Sequence, residues 1–191
     1  MLLVLRHGES EWNRSPKRCQ GRIDVPLSEA GREAARRAAA ELAMPDAAYA
    51  SPLARAQETA RILLEVVAER TRRPAPQIVL DVRLAEADCG TWEGLLLREI
   101  EERWPAEWQA LCRDDPSFAF PAGESLGQVR QRFAEAMAEL DARHRDETAL
   151  VVAHGGPMRF FLAESTGLPV RPGGPPLNLE GFRLDRGRIL R

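Results

Sequence analysis

Two of the chain's three histidines stand in the same kind of place, each following an apolar run and each trailed by glycine. Met1-Leu2-Leu3-Val4-Leu5 leads into Arg6-His7-Gly8-Glu9, and Ala149-Leu150-Val151-Val152-Ala153 leads into His154-Gly155-Gly156. Apolar runs of this length read as strands buried on both faces, as in a parallel sheet. Open α/β sheets bind ligands beyond the carboxyl ends of their strands, which is where both imidazoles would sit. Arg55 follows another short strand, the second in chain order, near Ala47 to Ala50, so two arginines and two imidazoles would face one cleft. Such a pocket has the charge and size for a phosphoryl group, whose oxygens match the planar fork of arginine. A helix N-terminus after Ser51 and the Gly155-Gly156 turn ahead of Pro157 can add backbone N–H groups and the positive end of a helix dipole.

The attacking group follows by elimination. The chain has no P-loop, no Cys-x5-Arg and no aspartates clustered at metal-ligand spacing. Imidazole remains, and neutral histidine is a competent nucleophile toward phosphorus. A leaving alkoxide also needs a proton, which a carboxylic acid can donate. Glu86, in the loop after a third strand at Ile78-Val79-Leu80, is the best-placed candidate, with Glu93 and Glu9 as competitors. Arg55 could instead pair with Glu58 on its own helix, a contact worth only a few tenths of a kcal/mol. His144 reads as a solvated residue or one at a helix C-terminus, and Trp92, Trp104 and Trp108 read as packing residues.

The elements that must carry these groups alternate between strand and helix. Ser28 ahead of Glu29-Ala30-Gly31 predicts an N-capped helix running to Leu42. Ser51-Pro52 supplies an N-cap and a first-turn proline for a second helix to Arg70. A helical pattern covers Leu96 to Leu111, and another covers Ser125 to His144 with Val129, Phe133, Met137 and Leu140 on its apolar face. Pro157 opens a helix stopped at Gly167-Leu168-Pro169, and a surface loop from Pro172 to Pro176 precedes a terminal hairpin. This alternation implies a three-layer α/β/α sandwich around a mostly parallel sheet, read as one domain over residues 1–191.

Bulk properties narrow the partners. A net charge of -2, with 27 basic against 29 acidic residues, points to neither nucleic acid nor an anionic membrane. Cys19, Cys89 and Cys112 are odd in number and widely spaced, so no disulfide framework or cysteine zinc site is expected. No apolar stretch nears the roughly 20 residues that span a bilayer. The expected setting is the cytoplasm, with a homodimer left open.

In order along the chain, Arg6-His7-Gly8-Glu9 with Asn13, Gln20-Gly21-Arg22 through Leu27-Ser28, Ser51-Pro52-Leu53-Ala54-Arg55-Ala56, Leu84-Ala85-Glu86 to Trp92-Glu93-Gly94, and His154-Gly155-Gly156 resemble the histidine phosphatase superfamily that includes phosphoglycerate mutase. The resemblance implies that His7 is the phosphorylated nucleophile and Glu86 the proton donor. It implies that Arg6, Arg55 and His154 hold the phosphoryl oxygens, and that no metal or other cofactor is required. Asn13, Gln20 and Gly21 match residues lining the pocket, with Gly155 beside His154. Pro121-Ala122-Gly123-Glu124-Ser125 resembles a family Gly-Gly-Glu-Ser turn in which alanine replaces the first glycine. The stretch Gly94 to Val152 has room for two helices and one loop, short for a mutase, which favours a phosphomonoesterase. Its substrate would be a small phosphorylated metabolite, with α-ribazole 5′-phosphate or a sugar phosphate as the narrower expectation. The alternatives are a cofactor-dependent phosphoglycerate mutase, a phosphohistidine protein phosphatase and a domain that binds phosphorylated ligands or proteins without turnover.

Overall fold

A computed structural model describes residues 1–115, 117–166 and 176–190. The expected stop at Gly167-Leu168-Pro169 lies outside these residues, as does the expected Pro/Gly loop up to residue 175. The strands are β1 (Leu2–Arg6), β2 (Ala47–Ala50), β3 (Ile78–Leu80), β4 (Ala149–Ala153), β5 (Gly181–Asp185) and β6 (Arg188–Leu190). They form one sheet in the order β3-β2-β4-β1-β5-β6. The pairs β3–β2, β2–β4 and β4–β1 are parallel, while β5 and β6 add an antiparallel edge beside β1. The terminal hairpin and the mostly parallel sheet are therefore as the sequence pattern implies.

Helices cover both faces. On one side α1 (Glu29–Ala39) and α2 (Ala54–Thr71) bury Ala39, Ala56, Leu63 and Val67 against Leu150 and Val152 of β4. On the other, α5 (Leu126–Arg143) and α6 (Gly155–Thr166) bury Phe133, Met137, Leu140 and Met158 against Ala149, Val151 and Ala153. Alternate residues of β4 thus serve opposite cores, and the whole strand is buried. This is the expected α/β/α sandwich. A third apolar cluster, with Trp92, Phe118, Phe120 and Ile100 at its centre, lies under α3 (Leu97–Arg103) and α4 (Pro105–Cys112).

Several boundaries differ from the sequence pattern. The stretch expected as one helix from Leu96 to Leu111 is two, because Pro105 cannot donate a backbone N–H and disfavours helical geometry in the residue before it. Trp104 accordingly takes φ -133° and ψ 60°, and Pro105 begins α4. Gly94 to Val152 therefore holds three helices. The first helix closes at Ala39 rather than Leu42, its end tightened by a bond from the Ala40 N–H to the Arg37 carbonyl. Ser51 does not cap α2, whose N-cap is Leu53. The first N–H of α2, on Ala54, is instead taken by the Asp24 carboxylate at 2.8 Å. Pro157 is the third residue of α6, a first-turn position where its missing N–H costs little.

Candidate active site

Strand register brings the two histidines together. Arg6 of β1 pairs with Ala153 of β4, so His7 and His154 each leave the sheet one residue past a paired position. Neighbouring strands lie about 4.8 Å apart, and the two imidazole centroids are 5.0 Å apart. Both rings are buried, at 2% and 0% exposure. Burial, reinforced by the charges of Arg55 and Arg6, holds the pKa of each well below the ordinary histidine value. Both imidazoles are therefore neutral.

Local hydrogen bonds decide which nitrogen of each ring is free. His7 Nδ1 lies 2.6 Å from the Gly8 carbonyl, an atom that can only accept, so Nδ1 carries the proton. The lone pair is then on Nε2. Gly8 is tied down in turn: its N–H donates to Thr59 Oγ1 at 3.0 Å, and that hydroxyl donates to the Arg55 carbonyl at 2.7 Å. His154 Nε2 is 2.7 Å from Ser51 Oγ, which already accepts the Leu53 N–H. The Ser51 hydroxyl proton is free to donate to Nε2, an arrangement in which the His154 proton sits on Nδ1. That Nδ1 is buried and has no partner among the described residues.

Two guanidinium groups complete the cluster. Arg55, at 0% exposure, donates through Nη2 to the Gly21 carbonyl at 2.8 Å and through Nη1 to the Ile23 carbonyl at 2.9 Å. It does not pair with Glu58, which accepts from Arg32 at 2.6 Å. Arg6 donates through Nη1 to the Pro176 carbonyl at 2.8 Å. Burial pushes both arginines below their ordinary pKa, and the Glu86 carboxylate is the strongest charge pulling each back up. The Nε–H groups of Arg6 and Arg55 are buried without partners among the described residues. Leaving a buried donor unpaired costs about 1–3 kcal/mol. With His154 Nδ1, three buried nitrogens of this cluster are left without a partner among the described residues.

The remaining sequence candidates fall around this cluster. Asn13 Oδ1 accepts the Ser10 N–H at 3.1 Å, and Gln20 Oε1 accepts the Ser10 hydroxyl at 2.8 Å. With both amide oxygens held inward, the NH2 ends remain as donors. Gly21 acts through its carbonyl on Arg55; its φ of 50° and the nearby Glu93 carboxylate, which a Cβ would overlap, both call for glycine. Gly155 opens α6 directly after His154. Glu86 Oε1 accepts the Ala87 N–H at 2.9 Å, and Glu86 Oε2 lies 3.4 Å from the Gly156 nitrogen. Of the two competing carboxylates, Glu93 accepts the Arg22 and Cys89 N–H groups and Glu9 accepts the Ser28 hydroxyl. His144 is the C-cap of α5, as one of its two expectations had it. It is not solvated: its ring is buried and hydrogen-bonded by Tyr49 and Glu147.

Sequence reasoning missed four supporting residues. Ser51 bonds the His154 ring and Thr59 holds Gly8. Asn178, 171 positions away, donates to the His7 carbonyl at 2.8 Å and contacts Asn13 Oδ1 at 3.3 Å. Arg132 binds the loop that carries Glu86. Of these, the sequence pattern marked only Ser51, and as a helix cap; nothing in it set Thr59, Asn178 or Arg132 apart. Among the described residues, no three His, Cys, Asp or Glu side chains are grouped to hold a metal ion, and no helix is long and apolar enough to cross a membrane.

A family model for the histidine phosphatase superfamily, branch 1, matches residues 2–175. The chain belongs to this superfamily. The chain is 36% identical over 169 residues to phosphoserine phosphatase 1 of Hydrogenobacter thermophilus, spanning 87% of the chain and 76% of the relative. It is 36% identical over 178 residues to the glucosyl-3-phosphoglycerate phosphatase of Mycolicibacterium vanbaalenii, spanning 88% and 75%. A 2,3-bisphosphoglycerate-dependent phosphoglycerate mutase of Bartonella bacilliformis also matches, at 35% identity over 87% of the chain and 82% of the relative. The fold superposes on Bacillus stearothermophilus YhfR with a TM-score of 0.81 and 33% identity, covering 99% of this chain and 93% of the other. Family and phosphatase relatives together make the chain a phosphoric monoester hydrolase.

Proposed function

We propose that this histidine phosphatase hydrolyses phosphomonoesters of small metabolites through a phosphohistidine at His7, with no metal ion or other cofactor. The observation that carries the reading is the state of His7: neutral, with Nδ1–H bonded to the Gly8 carbonyl and Nε2 bearing the lone pair beside Arg6, Arg55 and His154. Nε2 attacks phosphorus while the ester oxygen departs in line. Arg6, Arg55 and His154 Nδ1–H bind the non-bridging oxygens and offset the charge they carry, the preorganised stabilisation that is worth most in a dry site. Asn13 and Gln20 supply further N–H donors, and the start of α6 at Gly155 presents its positive end. Glu86 protonates the departing alkoxide, releasing the alcohol. The resulting Glu86 carboxylate then takes a proton from water as that water cleaves the P–N bond, which returns free imidazole and inorganic phosphate.

Wild type, His7→Ala and Glu86→Gln are to be assayed with EDTA present on a panel of phosphoserine, glucosyl-3-phosphoglycerate, α-ribazole 5′-phosphate and p-nitrophenyl phosphate. Wild type should turn over in EDTA and yield an acid-labile, base-stable phosphoenzyme, and His7→Ala should do neither. Glu86→Gln should lose about 10²- to 10⁴-fold on the alkyl esters, the usual range for general acid catalysis. It should lose less on p-nitrophenyl phosphate, whose leaving group needs no proton. Turnover by His7→Ala refutes the mechanism. Conversion of 3-phosphoglycerate primed with 2,3-bisphosphoglycerate, in excess over hydrolysis, would assign a mutase instead. Phosphate binding without turnover of any ester would assign a binding domain.

A further inference from the structure

The loop that carries Glu86 has little regular structure of its own. After the single 3₁₀ turn Val82–Leu84, residues 85–89 lie outside helix and strand. Backbone groups in such a segment must find partners elsewhere. Arg132, projecting from α5, supplies them. All five of its N–H donors are used: Nε and one Nη2 proton grip the two carboxylate oxygens of Glu124, both at 2.9 Å, in a bidentate pair. The other three donate to the carbonyls of Arg83 at 2.8 Å, Ala85 at 2.6 Å and Glu86 itself at 3.0 Å.

Glu124 closes the frame from the other side. Its Oε2 accepts the Asp88 N–H at 2.9 Å, and its own N–H donates to the Asp88 carbonyl at 2.9 Å. The backbone is therefore fixed on both sides of Glu86. Half-burial pushes the Glu124 carboxyl up, but Arg132, the Asp88 N–H and Arg22 outweigh that, so it stays ionised. Arg22 reaches Glu124 Oε1 at 3.3 Å, and residues 21 and 23 beside it provide the carbonyls that hold Arg55. One ion pair thus spans the acid loop and the segment that orients the phosphate-binding arginine.

We propose that Arg132 and Glu124 are positioning residues for the proton-transfer step, setting where the Glu86 carboxyl meets the leaving oxygen. The inference rests on the reading of Glu86 as the general acid. Neither residue touches the reacting atoms, so their effect passes through the loop. Lysine at position 132 keeps the charge but is a single point donor on a flexible stem, and cannot rebuild five fixed bonds.

The test compares kcat for phosphoserine and for p-nitrophenyl phosphate in wild type, Arg132→Lys, Glu124→Gln, Glu86→Gln and the double variant Arg132→Lys/Glu86→Gln. Misplacing a catalytic group by about 1 Å can cost about 100-fold. Arg132→Lys and Glu124→Gln should therefore lose about 10- to 100-fold in kcat on phosphoserine and less than about 3-fold on p-nitrophenyl phosphate, with KM little changed. Retained turnover of the aryl ester shows that each variant is folded and that His7 still accepts phosphate. On phosphoserine the double variant should be no slower than Glu86→Gln. If Glu86→Gln discriminates between the esters while Arg132→Lys and Glu124→Gln lose both equally, or both unfold, the positioning role is overturned and the acid assignment stands. Multiplicative loss in the double variant overturns it too. If Glu86→Gln itself does not discriminate, the acid assignment fails and takes this proposal with it.

Discussion

Gly156→Ala separates catalysis from stability more sharply than removing any catalytic group. Gly156 is the second residue of α6, with its nitrogen 3.4 Å from Glu86 Oε2. A Cβ built there would lie 2.4 Å from Glu86 Oε1 and 3.3 Å from the carboxyl carbon. Ordinary contact begins near 3.4 Å, so the carboxyl must retreat by about 1 Å. It sits at the end of a flexible side chain, so the backbone has no reason to follow. The helix gains, because alanine is favoured over glycine in helical positions by up to about 1 kcal/mol. A displacement of about 1 Å in a reacting group can cost about 100-fold, so kcat on phosphoserine should fall by about that factor. The p-nitrophenyl ester, needing no proton on its leaving group, should be hydrolysed within a few-fold of wild type. The melting temperature should hold or rise. The assays are steady-state kinetics on both esters beside a thermal melt. Undiminished kcat on phosphoserine would refute the placement of Glu86, and equal losses on both esters would show that the phosphate pocket itself had been disturbed.

Two further outcomes follow from the buried network. Thr59→Val removes the acceptor of the Gly8 N–H, and a buried donor left unpaired should cost about 1–3 kcal/mol in urea denaturation; a cost below about 0.5 kcal/mol would show that Gly8 finds another partner. His7 and His154 are held neutral in the folded chain, whereas the unfolded chain protonates both below about pH 6.5. Where the unfolded state binds more protons, stability rises with pH, so these rings cost nothing above that value and destabilise progressively as pH falls below it. Each contributes a slope of up to about 1.4 kcal/mol per pH unit, and urea melts of His154→Gln between about pH 6.5 and 5 should be correspondingly less steep than those of wild type. An unchanged slope would place the loss of acid stability in other groups.

Much of the site was legible because its grammar is local. A strand, a turn and a helix start are written in adjacent residues, so the apolar runs before His7 and His154 placed both rings at strand ends, where the structure has them. Arg55 was legible for the same reason. Boundaries were less so wherever one residue overrules a pattern: Pro105 splits a periodic stretch that otherwise reads as one helix, and Ser51-Pro52, a good helix start by residue type, surrenders its serine to His154. Ala122 adopts φ 58°, a left-handed conformation that glycine takes more readily, and residue type gave no sign of it beyond the family-like turn around it.

What the sequence by itself determined is the family and the residue types from which the proposed chemistry is read. Two arginines and two histidines at the ends of buried strands, with no thiol motif or acidic cluster to compete, leave phosphoryl transfer to imidazole as the reading, and residue types and short spacings carry that much. Tertiary structure decided how the groups are held. Ser51 and His154, 103 positions apart in the chain, meet only because β2 and β4 pair in one register. Asn178 reaches His7 only after β5 folds back beside β1. Arg132 finds three loop carbonyls and a carboxylate only when α5 packs against the acid loop. Backbone carbonyls are the same at every residue, so which of them a distant arginine will meet is not written in side-chain types and is settled by packing.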